Sequence, residues 1–314
     1  MVIQIILLIA GFILLIKGAS WFADSASGIA VRARIPQLVI GLTIVAMGTS
    51  LPEAAVSISS TLKGNAGIAV GNVVGSNILN ILLILGITAV LTPLAVRKST
   101  MRFEIPFMIA VSVILSVCGL MDNRLGRIEG VILLVLFLCY LGYLFYMSRT
   151  SLETVDDGIN QQAVEQKPLY RLLLIFAAGI VCTILGSTIT VDAATELAKA
   201  FGVSDRVIGL TIVAFGTSLP ELATCIVAAI RNNEDIAVGN IVGSNIFNIL
   251  FILGSCACLS PLDYSRDFFA DSIMCIASAV ILLVLVLNRD RKLTRKGGVL
   301  SLAVYAAYFI SMTV

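Results

Sequence analysis

The sequence predicts an all-α membrane protein, with ten transmembrane helices arranged as two inverted five-helix repeats. Two observations carry this prediction. Of the 314 residues, 59% are hydrophobic and only 13% are charged, with a mean hydropathy of +1.04, whereas a soluble domain carries roughly 25% charged residues. In addition, one long segment of the first half recurs almost unchanged in the second half.

The apolar runs and the breaks between them predict the spans in order. No residue between Lys63 and Arg97, or between Asp235 and Asp263, is charged, and a helix needs about 20 apolar residues to cross a bilayer. The predicted spans are 3–22, 38–62, 67–91, 104–120, 128–147, 170–189, 206–230, 236–259, 268–287 and 297–314. Residues 148–167 form the only long polar connection and are predicted to be a cytoplasmic linker between the repeats 1–147 and 168–314.

The internal repeat relates residues 39–86 to residues 207–254. Aligned without gaps at an offset of 168, 33 of the 48 positions are identical. Because each half then has five spans, an odd number, the second half is expected to enter the membrane from the opposite side. Inverted repeats of this kind are a transporter architecture, with the substrate site where the halves meet at the midplane.

The distribution of Lys and Arg predicts the orientation. Loops after the odd-numbered spans hold 14 of them, and loops on the opposite side hold 6. The positive-inside rule therefore predicts that both termini lie outside the cell, in a multi-pass protein of the plasma (inner) membrane.

Apart from Arg206 at the first position of span 7, Glu53 and Glu221 are the only charged residues within spans 2 and 7, and both lie near mid-depth in a GTSLPE motif. A carboxylate there is costly unless it faces a polar cavity or a partner. The prolines that precede them, Pro52 and Pro220, cannot donate the helical hydrogen bond. We therefore expect free backbone carbonyls around Gly48–Thr49 and Gly216–Thr217.

Helical spacing brings further oxygen-bearing groups onto the face of each glutamate. In spans 3 and 8, amides and hydroxyls follow a second stripe at intervals of four. Carboxylate, hydroxyl and carbonyl oxygens suit Ca²⁺ or Na⁺ rather than soft metals. The candidate ion ligands, first half then second half, are Ala46, Thr49, Ser50, Glu53, Ser76 and Asn80, and Ala214, Thr217, Ser218, Glu221, Ser244 and Asn248, with Asn72, Asn77, Asn240 and Asn245 alongside.

Charge and composition exclude several other functions. Two ionised glutamates balance one Ca²⁺ or could instead hold two or more Na⁺, and the four spans hold no Lys or Arg at mid-depth to receive an anion. There is no histidine, and the net charge of +2 gives no basic excess for nucleic acid. The seven cysteines are expected to be small membrane hydrophobes rather than disulfides or metal ligands. No cofactor, nucleic acid or protein partner is expected, only membrane lipid and the transported ions.

At the repeated GTSLPE and GNxVGSNxxN motifs the chain closely resembles the cation/calcium antiporter superfamily, in particular its prokaryotic ten-helix sodium/calcium exchangers. The resemblance covers essentially the whole chain. It implies that Glu53 and Glu221 bind Ca²⁺ with the backbone oxygens of Thr49 and Thr217. It also implies flanking Na⁺ sites, which use Ala46, Thr49, Ser76 and Glu53 in one half and Ala214, Thr217, Ser244 and Glu221 in the other.

Two departures from relatives refine the expected function. Some archaeal and potassium-dependent relatives carry Asp where this chain has Asn248, so potassium cotransport is less expected here. Proton-coupled relatives carry GNxxE where this chain has GNVVG and GNIVG, which favours Na⁺ over H⁺.

The predicted function is secondary antiport of Na⁺ for Ca²⁺ by alternating access, without enzymatic activity. Three alternatives stay open. They are a Ca²⁺/H⁺ or other cation/Ca²⁺ exchanger, a cation channel, and an intramembrane enzyme with Ser50 or Ser218 as nucleophile. The enzyme is disfavoured because no histidine is present to act as the base.

Overall fold

The computed structural model describes residues 1–33, 35–64, 66–150, 168–201, 214–264 and 268–313, and these are mostly helical. Four two-residue strands lie in the loops. The helices are α1 (Val2–Ala33), α2 (Gln37–Thr49), α3 (Leu51–Leu62), α4 (66–91), α5 (100–122), α6 (Arg127–Thr150), α7 (Leu169–Ala200), α8 (Ala214–Gly216), α9 (Leu219–Ile230), α10 (Glu234–Leu259), α11 (Phe268–Val286) and α12 (Arg295–Thr313). The strands are β1 (Leu94–Ala95), β2 (Arg124–Leu125), β3 (Leu262–Asp263) and β4 (Lys292–Leu293).

Within the described ranges, seven helices are long and apolar enough to cross a membrane, namely α1, α4, α5, α6, α7, α10 and α11. The bent pair α2 and α3 makes an eighth span if it is counted as one. The chain is therefore a multi-pass membrane protein. The predicted seventh span, 206–230, falls partly outside the described residues, and α12 is not among the seven, so the count of ten remains a prediction.

Several helices are longer than the predicted spans. Both α1 and α7 have 32 residues, although spans of 3–22 and 170–189 were predicted. No proline follows the apolar run of α1 before Pro36, or that of α7 before Pro220, so each helix continues through its polar residues. Helix α5 begins with a π-helical turn at Thr100 rather than at 104, and α6 runs to Thr150, into the predicted linker.

The core is formed by α4 and α10. Of their most apolar windows, 78% and 94% of residues are buried, against 22% to 39% in the other five spanning helices. Helix α2 packs on α10, α3 on α4 and α9 on α10. Helices α1 and α7 pack together along their length. The repeated motifs therefore lie on the helices that form the interior.

Two small antiparallel strand pairs join loops of the first half to loops of the second. β1 pairs with β4, with Leu94 opposite Leu293, and β2 pairs with β3, with Leu125 opposite Leu262. At the offset of 168, β1 corresponds to β3 and β2 to β4. The two pairs are thus equivalent contacts between the halves.

Candidate cation site

The GTSLPE motif breaks the helix in both halves, where the prolines predicted a disturbance. Helices α2 and α3 meet at Ser50 with a bend of 49°, and Ser50 has φ −84° and ψ 11°. Ser218, before α9, has nearly the same angles, φ −93° and ψ 5°. Pro52 and Pro220 then lie in the first turn of the following helix, where their missing N–H leaves no acceptor unsatisfied within that helix.

The prediction of a free carbonyl at Gly216 was wrong, because the Ser187 hydroxyl of α7 donates a hydrogen bond to this carbonyl at 2.7 Å. Ser187 was not among the predicted site residues. At the offset of 168 its counterpart is Ala19 of α1, which has no hydroxyl. The repeat therefore gave no signal for this contact.

Glu53 and Glu221 lie in the first turns of α3 and α9, where the helix dipole favours a negative charge. Their exposed fractions are 1% and 0%. Each carboxylate accepts one hydrogen bond from the other half of the chain. The Ser50 hydroxyl donates to Glu221 Oε1 at 2.8 Å, and the Ser218 hydroxyl donates to Glu53 Oε1 at 3.0 Å.

The second oxygen of each carboxylate differs from the first in its hydrogen bonding. Oε2 of Glu53 and Oε2 of Glu221 are buried, and neither has a hydrogen-bond partner in the described part of the chain. The two ion pairs described, Arg97 with Asp235 and Arg231 with Asp24, involve other acids. An uncompensated buried carboxylate costs several kcal/mol, so this arrangement requires a cation or a proton.

Four asparagines of α4 and α10 form a two-fold network between the halves. Asn77 Nδ2 donates to the Asn245 carbonyl at 3.1 Å, and Asn245 Nδ2 donates to the Asn77 carbonyl at 3.0 Å. Asn80 Nδ2 donates to Asn245 Oδ1, and Asn248 Nδ2 donates to Asn77 Oδ1, both at 3.0 Å.

This network determines which end of the Asn80 and Asn248 side-chain amides is free. The amino groups of Asn77 and Asn245 donate to backbone carbonyls, which leaves the side-chain oxygens of these two residues to meet Asn80 and Asn248. An amide oxygen accepts hydrogen bonds and does not donate them. Asn80 and Asn248 must therefore turn their amino groups toward the network. Their own Oδ1 atoms are buried without a hydrogen-bond partner in the described structure. Both residues thus offer an oxygen, and each begins a π-helical turn, at 80–84 and 248–253.

The remaining predicted ligands of the first half are in or beside this region. The Thr49 hydroxyl donates to Asn240 Oδ1 at 3.0 Å, and the Ala46 carbonyl accepts a 3.3 Å hydrogen bond from the Ser244 hydroxyl. Ser76 is buried on α4. Asn72 instead donates to the Glu53 carbonyl at 3.2 Å and to Ser57 Oγ at 2.9 Å.

In the second half, Thr217 lies half-buried at the break before α9, and the backbone of Ala214 begins α8. Among the described residues, no group of three or more acidic, cysteine or histidine side chains could hold a metal ion. A cation would therefore depend on two carboxylates supplemented by neutral oxygens, a donor set that suits hard ions.

A sequence model described as "Sodium/calcium exchanger protein" matches residues 3–146 and 171–314. The chain belongs to the sodium/calcium exchanger family. The matched ranges cover both halves and leave out the connection between them.

Two relatives of this exchanger family align over nearly their whole length. The chain is 37% identical to the putative antiporter CaxA of Alkalimonas amylolytica, over 98% of each chain. It is 31% identical to the sodium/calcium exchanger MaX1 of Methanosarcina acetivorans, again over 98% of each. A solved structure of the sodium-calcium exchanger NCX_Mj superposes with a TM-score of 0.85 at 33% identity, covering 99% of both chains. These matches support cation/Ca²⁺ antiport.

Proposed function

We propose that this protein exchanges Na⁺ for Ca²⁺ across the plasma membrane by alternating access, at a midplane site built on Glu53 and Glu221. The observation that carries the proposal is the pair of buried carboxylates, each held by a serine of the opposite half and each with one oxygen free. The oxygens of Asn80 and Asn248 supplement them.

Charge balance explains how such a site couples two ions. Two ionised glutamates neutralise one Ca²⁺, whose shell of 6–8 oxygens exceeds what two carboxylates supply. Amide, hydroxyl and backbone oxygens would complete it. The same two charges would be neutralised by two Na⁺. Because both ions need Glu53 and Glu221, they compete, and competition for one site is the minimal requirement of an antiporter.

The proposed architecture is ten transmembrane helices in two inverted repeats, with both termini outside. The equivalent strand pairs β1–β4 and β2–β3 support it, as do the crosswise serine–glutamate bonds. In this scheme α1 and α7 move against the core formed by α2, α3, α4, α9 and α10. A site at the contact between the halves is then exposed alternately to either side.

A Ca²⁺/H⁺ exchanger is the second candidate. The same observation favours it, because two buried carboxylates without basic partners could also be neutralised by protons. The driving ion distinguishes the two functions.

Transport by purified protein in proteoliposomes tests the proposal. Vesicles loaded with Na⁺ and diluted into Na⁺-free medium should accumulate radiolabelled Ca²⁺, whereas vesicles loaded with K⁺ should not. Glu53→Gln combined with Glu221→Gln should abolish uptake. Uptake that ignores the Na⁺ gradient, or that survives in this variant, would contradict the proposal. Uptake driven by a pH gradient alone would support the second candidate.

A further inference from the structure

An ion pair ties the end of α9 to α1, away from the candidate cation site. Arg231 Nη1 lies 2.6 Å from Asp24 Oδ1, and Arg231 Nη2 donates to the Ser20 hydroxyl at 2.7 Å. The Arg231 and Asp24 side chains are 47% and 44% exposed. The contact therefore lies at the surface, between one of the two helices proposed to move and the core.

The offset of 168 relates each member of this contact to a residue of matching chemistry. Arg231 corresponds to Lys63, Asp24 to Asp192, and Ser20 to Thr188. A base, an acid and a hydroxyl thus recur on α3 and α7, the counterparts of α9 and α1. This correspondence lies largely outside the strongly repeated motifs, since residues 20–24 and 188–192 precede them.

The backbone confirms that the two basic residues are equivalent. Lys63 ends α3 with φ −83° and ψ 2°, and Arg231 ends α9 with φ −84° and ψ 9°. The next residue has positive φ in both cases, 80° at Gly64 and 58° at Asn232. Each base is therefore presented from the same helix-ending turn.

Only one of the two equivalent contacts is made. Within the described ranges Lys63 and Asp192 are both exposed and form no ion pair with each other. The Thr188 hydroxyl donates instead to the Ile184 carbonyl of its own helix, at 3.0 Å. The packing differs in the same way, since α1 packs against α9 while α7 and α3 barely touch.

We infer that Asp24–Arg231 and Asp192–Lys63 are reciprocal latches, of which one is made in each of the two access states. In an inverted repeat the halves exchange conformations when access switches. The α7–α3 contact then closes as the α1–α9 contact opens. By the predicted orientation, Arg231 is cytoplasmic and Lys63 is outside. The inference rests on the proposed alternating access, but not on which ions are exchanged.

The strength of such a contact suits a latch. Exposed ion pairs contribute little to stability, so neither latch holds the protein permanently in one state. Removing one charge should shift the ratio of the two states by about two- to five-fold, which corresponds to the upper part of the usual range for exposed pairs. Loss of a charge from either latch should favour the access state in which the other latch is made.

Reversible cross-linking of the full-length protein tests the inference. One variant carries Asp24→Cys with Arg231→Cys, and the other carries Lys63→Cys with Asp192→Cys. A short bis-methanethiosulfonate reagent links the introduced thiols, and mass spectrometry of the linked peptides distinguishes them from the seven native cysteines. We expect both pairs to link, each link to stop transport, and a reductant to restore it.

To test whether the two latches are reciprocal, a charge of one ion pair is removed and the cross-linking yield of the other pair is measured. Asp192→Asn, added to the Asp24 and Arg231 cysteine variant, should increase linking about two- to five-fold. Asp24→Asn, added to the Lys63 and Asp192 cysteine variant, should do the same there. Arg127→Gln at the start of α6 removes an exposed charge from a helix that takes part in neither latch, and it should change neither yield.

Each outcome has a separate meaning. If the wild type exchanges Na⁺ for Ca²⁺ but the Lys63 and Asp192 cysteines do not link under any ion condition, the reciprocal latch is wrong. It is also wrong if removing a charge from one pair lowers the linking of the other pair or leaves it unchanged. If both pairs link reciprocally but Na⁺ does not drive Ca²⁺ uptake, the latch stands and the proposed driving ion is wrong.

Discussion

Ser50 and Ser218 each hold the carboxylate that belongs to the other half of the chain. In this position a serine orients an acid whose other oxygen is free for a cation. Groups that hydrogen-bond to a metal ligand restrict its orientation, and their loss typically lowers metal affinity 10–100-fold. The serine of one half therefore acts on the ion through the glutamate of the other.

Replacing Ser50 by Ala should raise the Ca²⁺ concentration that half-saturates Na⁺-driven uptake by about 10-fold or more. The reason is that Glu221 loses the donor that orients it. Ser60→Ala is the matched control, because its hydroxyl donates only to the Ser57 carbonyl of its own helix, at 2.9 Å. Equal effects of the two substitutions would contradict the assigned role of Ser50.

The residues of the candidate site could be predicted because the repeat marks them twice and because Glu53 and Glu221 are the only charges at mid-depth in their spans. Their partners could not be predicted. The bond from Ser50 to Glu221 depends on how two segments 171 residues apart meet. Nor does the sequence tell which end of the Asn80 amide is free, because the contact with Asn245 decides it.

Helices α1 and α7 approach closely where glycines face the opposite backbone. A Cβ on Gly179 would lie 2.7 Å from the Phe22 nitrogen, and a Cβ on Gly18 would lie 2.5 Å from the Thr183 nitrogen. Small residues at such interfaces let transmembrane helices pack backbone to backbone. The pair can therefore move as one unit against the core.

Gly179→Ala should lower the stability of the protein by ~1–3 kcal/mol, the usual cost of overpacking. A lower midpoint of thermal unfolding in detergent would show this. Gly142→Ala on α6 is the control, because its site is exposed and a Cβ there meets nothing within 4 Å. A Gly179→Ala protein as stable as the Gly142→Ala protein would contradict the close packing of α1 and α7.

The elements were predictable to different degrees. The prolines of GTSLPE predicted disturbed helices, and the structure breaks both at the preceding serine. The ends of α1 and α7 were not predictable from hydropathy, because a helix can extend beyond its apolar run. The π-helical turns at Asn80 and Asn248 have no local signal, since both lie within apolar runs that suit an ordinary helix.

The molecule as a whole combines a nearly two-fold core with an unsymmetrical periphery. The asparagine network and the serine–glutamate bonds are matched across the halves. The contacts of α1 with α9 and of α7 with α3 are not. This combination is what alternating access requires, namely one shared site and two ends that differ in any one state. The low charge of the chain makes Glu53 and Glu221 the residues on which this account depends.

Calorimetric titration of Ca²⁺ into the purified protein at increasing Na⁺ concentrations tests the shared site most directly. The account predicts one Ca²⁺ per chain at the central site, with an affinity that falls steeply as Na⁺ rises. Glu53→Gln or Glu221→Gln alone should weaken binding by about a hundred-fold or more, since disrupting a buried charge pair costs ~3–5 kcal/mol. Ca²⁺ affinity that is independent of Na⁺, or that persists when both glutamates are replaced, would contradict it.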